Sequence, residues 1–129
     1  MSRKAKGSRA ERELLHKFYD TKKWICLRAP GSGSIPLPSP DLLAGNGKKH
    51  LAIECKATKK SAKYFPVQEI EDLKIFARRF GAEPWIGLRF NNRDWYFLKP
   101  RDLKISGKML VASLKFAEKK GLSFERLIE

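Results

Sequence analysis

The chain is expected to be α/β, with a central mixed β-sheet flanked by helices, on three observations. Residues Ser8 to Lys23 carry apolar side chains at helical spacing (Leu14, Leu15, Phe18). Two pairs of β-type runs bracket turn residues, one pair around Asn46-Gly47 and the other around Asn91 to Asp94. Between those hairpins, Val67 to Phe80 returns to helical periodicity. The element order reads αβββαβββα. A length of 129 residues fits one domain, residues 1–129, large enough to bury a core.

Ser8 is placed to cap the first helix, with Glu11 three residues later at capping-box spacing. Trp24 to Arg28 is a short strand. The stretch from Ala29 to Pro40 holds four prolines and two glycines, so it is a surface loop. Asp41 to Lys56 then forms a hairpin. A two-residue Asn46-Gly47 turn would set Gly45 against Lys48 and Asp41 against Ala52. Lys59, Lys60 and Lys63 make a basic connection to the second helix, which starts after Pro66 and ends at Gly81. Trp85 to Phe90 and Trp95 to Leu98 form the second hairpin. The alternation of Leu110, Ala112, Leu114 and Phe116 favours a strand over a helix, followed by a turn at Lys119-Lys120-Gly121 and a short helix capped by Ser123.

Composition narrows the function. There are 28 Lys and Arg against 14 Asp and Glu, a net charge of +14, and the pI is near 10. That is the electrostatic footprint of a nucleic-acid binder. Cys26 and Cys55 sit in apolar runs and read as buried thiols of a cytoplasmic protein. No apolar run is long enough for a bilayer, and no signal peptide is visible, so no membrane partner is expected. His16 and His50 lack cysteine partners and do not make a zinc site.

Against this basic background the carboxylates stand out. Side chains alternate along a strand, so Asp41, Ala52, Glu54 and Lys56 share one face. Asp41 and Glu54 become diagonal neighbours, roughly 7–8 Å apart at the backbone. Two converging carboxylates repel unless a cation lies between them, and hard oxygen ligands suit Mg²⁺, with Mn²⁺ as a substitute. Lys56 beside them can orient or deprotonate a nucleophile, or stabilise charge on a phosphate. Glu11 falls in line with Leu14, Leu15 and Phe18 on the buried stripe, where a carboxylate is costly unless paired or metal-bound. It is therefore the third expected acid, with Asp41 and Glu54, at a metal; Glu13 lies on the wet face. Gln68 is open between reaching the site and facing solvent. Lys48, Lys49, Lys59 and Lys60 are expected to line a DNA groove beside the site.

Taken in order, Gly7 to Leu14, Leu27 to Ser32, Asp41 to Lys48, Ile53-Glu54-Cys55-Lys56 and Phe76 to Gly81 resemble the archaeal Holliday junction resolvases. These belong to the restriction-endonuclease-like superfamily with the Asp…(Glu/Asp)-x-Lys motif. The resemblance weakens after Leu98. It implies a Mg²⁺-dependent homodimer that nicks two opposing strands of a branched, four-way DNA junction. It also implies that Asp41 and Glu54 are metal ligands, Lys56 the catalytic lysine, Glu11 the helix glutamate, and Arg12 and Arg28 basic residues beside the scissile phosphate. The segment between Arg28 and Asp41 is longer than usual in the family. A functional serine is expected there, and Ser32 is taken over Ser34.

Two other readings remain at this level. A basic nucleic-acid-binding module would need no convergent acids. The other is a nuclease of the same superfamily that cuts nicked, mismatched or flap DNA. Tyr64, Phe65, Trp85, Trp95 and Phe97 are open between dimer interface and core.

Overall fold

Ala10, Leu14 and Phe18 repeat every four residues and are buried, which fixes the face of the first helix, α1 (Arg3–Asp20). A computed structural model describes residues 3–29 and 37–129, the side chains of 3–6 excepted. The helix begins five residues before the expected Ser8 and stops at Asp20, not Lys23. Ser8 is thus not a cap. Thr21 ends the helix: its N–H donates to the Phe18 carbonyl and its hydroxyl accepts from the Lys23 and Trp24 N–H groups.

Three antiparallel strands follow: β1 (Ile25–Arg28), β2 (Leu42–Gly45) and β3 (His50–Thr58). The β2–β3 register sets Gly45 against His50, not Lys48. The turn is longer than expected because the Asn46 side chain accepts from the Lys48 and Lys49 N–H groups, and the Asn46 N–H donates to the Lys49 carbonyl. Gly47 sits at φ 93°, a left-handed position suited to glycine. The pairing therefore shifts by two residues. A shift of two restores every side chain to its original face.

The basic connection also holds an unexpected strand, β4 (Ala62–Pro66). Helix α2 (Val67–Phe80) has the expected bounds, and Gly81 closes it in the left-handed conformation. Strands β5 (Glu83–Phe90) and β6 (Trp95–Leu98) form the second hairpin. A short 3₁₀ turn, β7 (Lys104–Ser106), β8 (Met109–Ser113), α3 (Leu114–Lys120) and α4 (Phe124–Leu127) complete the chain. The expected strand through Phe116 is cut at Ser113, whose hydroxyl accepts from the Phe116 N–H and starts α3. Ser123 caps α4 as expected.

The main sheet has order β1-β2-β3-β5-β6, and β4-β8-β7 form a second sheet. Among the described residues only β3 and β5 pair in parallel, joined through β4 and α2. Leu51, Ile53 and Cys55 pack on one face with α1 and α4, while Ala52, Ile86 and Leu88 pack on the other with α2 and α3. Phe65, Trp85, Trp95 and Phe97 are buried in these cores, and of the five aromatic residues left open only Tyr64 is exposed. Among the described residues no helix is long and apolar enough to cross a membrane.

Candidate active site

Asp41 stands one residue before β2 and is held from both sides. Its N–H donates to the Ile53 carbonyl at 3.1 Å, and its carbonyl accepts from the Ala29 N–H at 2.9 Å. Continuing the β2–β3 register by one step sets Asp41 directly across from Glu54. The sequence expectation of a shared face survives, with a closer, non-diagonal pairing. The Asp41 carboxylate accepts from the Cys55 N–H at 2.8 Å. Asp41 and Glu54 are 6% and 8% exposed and are the buried charged side chains among the described residues. Both lie on the α2 side of the sheet.

The cation facing them is Lys56. Its Nζ lies 3.6 Å from Glu54 Oε2 and 2.7 Å from Glu69 Oε1. Glu69 was not foreseen. It enters because Pro66, with φ −59°, leads directly into α2 and puts Glu69 in the first turn, where an acid also complements the helix dipole. An acid three residues after a helix-starting proline was the available signal.

Electrostatics fit a cation site. Burial pushes the Asp41 carboxyl up to about 6, against its hydrogen bond from Cys55 and aided by Glu11. Burial, a hydrogen bond with Glu69 and the charge of Asp41 push Glu54 up to about 10. Glu69 is lowered despite burial, because Glu54 and Lys56 hydrogen-bond its carboxylate. Lys56 is raised despite burial, chiefly by Glu69. Two acids so reluctant to ionise together are a donor pair that a divalent cation would stabilise. Mg²⁺ commonly uses one or two carboxylates and keeps its waters, so the pair Asp41 and Glu54 fits it. Burial raises both thiols, Cys26 to about 12, which disfavours the reactive thiolate form.

The expected third ligand behaves differently. Glu11 comes from α1, which packs on the opposite face of the sheet from α2. Its carboxylate pairs with Arg28 Nε at 2.7 Å. Among the described residues no group of three His, Cys, Asp or Glu side chains is disposed to hold a metal. Glu11 is thus held by Arg28, and its charge reaches Asp41, which it helps to raise. The Ser8 hydroxyl accepts from both Arg28 Nη2 and Arg12 Nη1. Arg12, Arg28, Glu11 and Ser8 thus form one polar cluster beside the carboxylates.

Lys59 and Lys60 are exposed just beyond the end of β3 nearest Lys56. Lys48 and Lys49 are in the turn at the other end, roughly 15–20 Å along the strand from Glu54 at the usual rise, so they do not flank the carboxylates as expected. Lys49 Nζ lies 3.4 Å from the Leu127 carbonyl. Gln68 donates to Asp72, outside the carboxylate cluster. Glu13 accepts from Arg89 and from the Trp95 indole, a structural role. Ser32 and Ser34 lie outside the described residues.

The family model described as archaeal Holliday junction resolvase (Hjc) matches residues 2–129. Similar proteins include the crossover junction endodeoxyribonuclease Hjc of Archaeoglobus fulgidus, 36% identical with 95% of this chain and 94% of that protein covered. Another is the Hjc of Sulfolobus acidocaldarius, 34% identical over 99% of this chain and 90% of that protein. The solved structure of Archaeoglobus fulgidus Hjc, a Holliday junction resolvase, superposes with a TM-score of 0.88 at 33% identity, covering 95% of this chain and 100% of that one. The fold is restriction-endonuclease-like.

Proposed function

Because the chain belongs to the archaeal Holliday junction resolvase family, we propose that it is a Mg²⁺-dependent endonuclease that resolves four-way DNA junctions as a homodimer, placing paired nicks in opposing strands. The observation that carries this reading is the pair of buried acids, Asp41 and Glu54, facing Lys56 in a protein of net charge +14. A basic protein that only bound DNA would gain nothing from burying two acids together.

A Mg²⁺ ion held by Asp41 and Glu54 would polarise the scissile phosphate and lower the pKa of the attacking water. Lys56 donates hydrogen bonds to orient that water and offsets charge as it grows on the phosphate. Arg28, held by Glu11 and Ser8, and Arg12, held by Ser8, clamp the neighbouring phosphates. Glu11 serves here through Arg28, as the group that fixes its direction. Lys59 and Lys60 follow the backbone leaving the site. Lys48 and Lys49 reach a more distant part of an arm.

The test is cleavage of an immobile four-way junction beside the matching linear duplex, with Mg²⁺, Mn²⁺ or Ca²⁺. Paired nicks in the junction with Mg²⁺ and Mn²⁺, and binding without nicks in Ca²⁺, are expected. Equal cutting of the duplex would transfer the enzyme to another DNA substrate, and tight binding without cleavage in any metal would make it an architectural protein. Binding should weaken steeply with salt, because phosphate contacts release counterions.

One set of catalytic residues per chain and two cuts per junction require two copies, which a two-fold dimer supplies. Exposed apolar groups on α2 favour it: Val67, and Phe80 stacked on Phe76 at 5.4 Å between ring centroids. Sedimentation equilibrium is expected to give about twice the chain mass of 14.8 kDa. Phe80→Glu is expected to give a monomer whose nicks are no longer paired. A wild-type monomer that still cuts both strands in concert would remove the dimer from the mechanism.

A further inference from the structure

We infer that Glu69 is a positioning residue for the cleavage reaction, holding the Lys56 ammonium at the working distance from Glu54; the inference rests on the nuclease reading above. Lys56 has two acidic neighbours at unequal range. The Glu69 contact is 2.7 Å, a direct charge-assisted hydrogen bond, while the Glu54 contact is 3.6 Å, beyond ordinary hydrogen-bond length. Lys56 is thus tethered to α2 and stands off the acid on its own strand. Without that tether, an ammonium on a four-carbon stem beside a carboxylate two residues away would close on Glu54 and occupy an oxygen needed for the cation.

The surroundings make Glu69 a rigid anchor. It lies in the first turn of α2, next to the buried Ile70, and its side chain is 26% exposed. Lys63 of β4 also acts on it electrostatically. Strand β4 is therefore part of the support: it pairs with β8, leads into Pro66 and so fixes where α2 begins. Glu11 and Glu69 play parallel parts from opposite faces of the sheet. Each is a helix acid that holds one cation, Arg28 or Lys56, beside the Asp41–Glu54 pair.

The test compares single-turnover cleavage of a four-way junction by wild type, Glu69→Ala and Glu69→Gln, with enzyme saturating and Mg²⁺ titrated. Junction affinity in Ca²⁺ and melting temperature are measured alongside. Glu69→Ala is expected to lose roughly 10–100-fold in the cleavage rate at saturating Mg²⁺, the size of effect that a misplacement of about 1 Å produces, with junction affinity unchanged. Glu69→Gln keeps an oxygen that accepts from Lys56 and is expected to recover most of the rate. Three results would overturn the inference: Glu69→Ala cutting as fast as wild type, Glu69→Gln as slow as Glu69→Ala, or a deficit that vanishes at high Mg²⁺, which would make Glu69 an ion ligand. A wild-type protein that cuts no junction would overturn the functional reading as well, and so is distinguishable from the other three.

Discussion

Glu54→Gln is expected to reduce junction cleavage by about 10³-fold or more while leaving junction binding intact. The substitution keeps the shape of a side chain that is 8% exposed, so the sheet has no reason to rearrange. It removes one of the two negative charges that hold a cation. A bound divalent ion contributes several kcal/mol of charge stabilisation to the transition state, and about 4 kcal/mol corresponds to roughly 10³ in rate. Relative to the ionised, cation-bound carboxylate the change removes a negative charge, and relative to the protonated one it changes none, so binding to a polyanion should not weaken. The comparison is single-turnover cleavage in Mg²⁺ against a gel-shift titration in Ca²⁺. A Glu54→Gln protein that cuts within tenfold of wild type would remove Glu54 from the metal site, and a parallel loss of binding and cleavage would make the residue structural.

The pairing of Asp41 with Glu54 was legible because strand alternation has a period of two. The turn was misjudged, yet the shift was even, and the two acids and Lys56 stayed on one face. Helix α2 was legible to the residue because Pro66 and Gly81 punctuate it chemically. Ser8 misled for a related reason: serine followed by glutamate marks a helix start only if nothing else claims the hydroxyl, and here Arg12 and Arg28 claim it. Glu11 illustrates a different limit. Helical spacing places an acid on the buried stripe, but it does not reveal the arginine that pairs with it, Arg28, which comes from β1. Glu69 and β4 were missed together. The register of β4 is set by its pairing with β8, about 50 residues later in the chain, and Lys63 made the segment look like solvated connection. Without β4 there was no reason to bring the first turn of α2 to Lys56. At Leu110 to Phe116 the alternation was real up to Ser113, where a capping hydroxyl outweighed it.

The metal-free protein is expected to become less stable as pH rises from about 5 to 9, contrary to the behaviour of a protein held by salt bridges. Asp41 is raised from 3.8 to about 6 and Glu54 from 4.5 to about 10, in both cases mainly by burial. A raised acid keeps its proton in the folded state after the unfolded chain has released its own, so the folded state binds more protons and stability falls with pH. The Asp41 contribution is spent by about pH 6, whereas that of Glu54 continues towards 10. The neighbours act outside this window. Glu69, being lowered, loses its stabilising share only as pH falls below the usual carboxylate range, and Lys56, being raised, loses its share only above the usual lysine range. Both acids therefore act against the fold at pH 8, Glu54 more than Asp41 because its raised range extends further. Melting curves in EDTA should therefore decline across pH 5 to 9, and Glu54→Gln should flatten most of the decline and melt higher than wild type at pH 8. Added Mg²⁺ should raise the wild-type melting temperature more at pH 8 than at pH 6, because it binds the ionised acids of the folded state. A wild-type profile that is flat in EDTA, or a Glu54→Gln protein less stable than wild type at pH 8, would mean that the two carboxylates are already compensated within the fold. They would then be structural ion-pair partners, since a pair held ready for a cation must be unfavourable until the cation arrives.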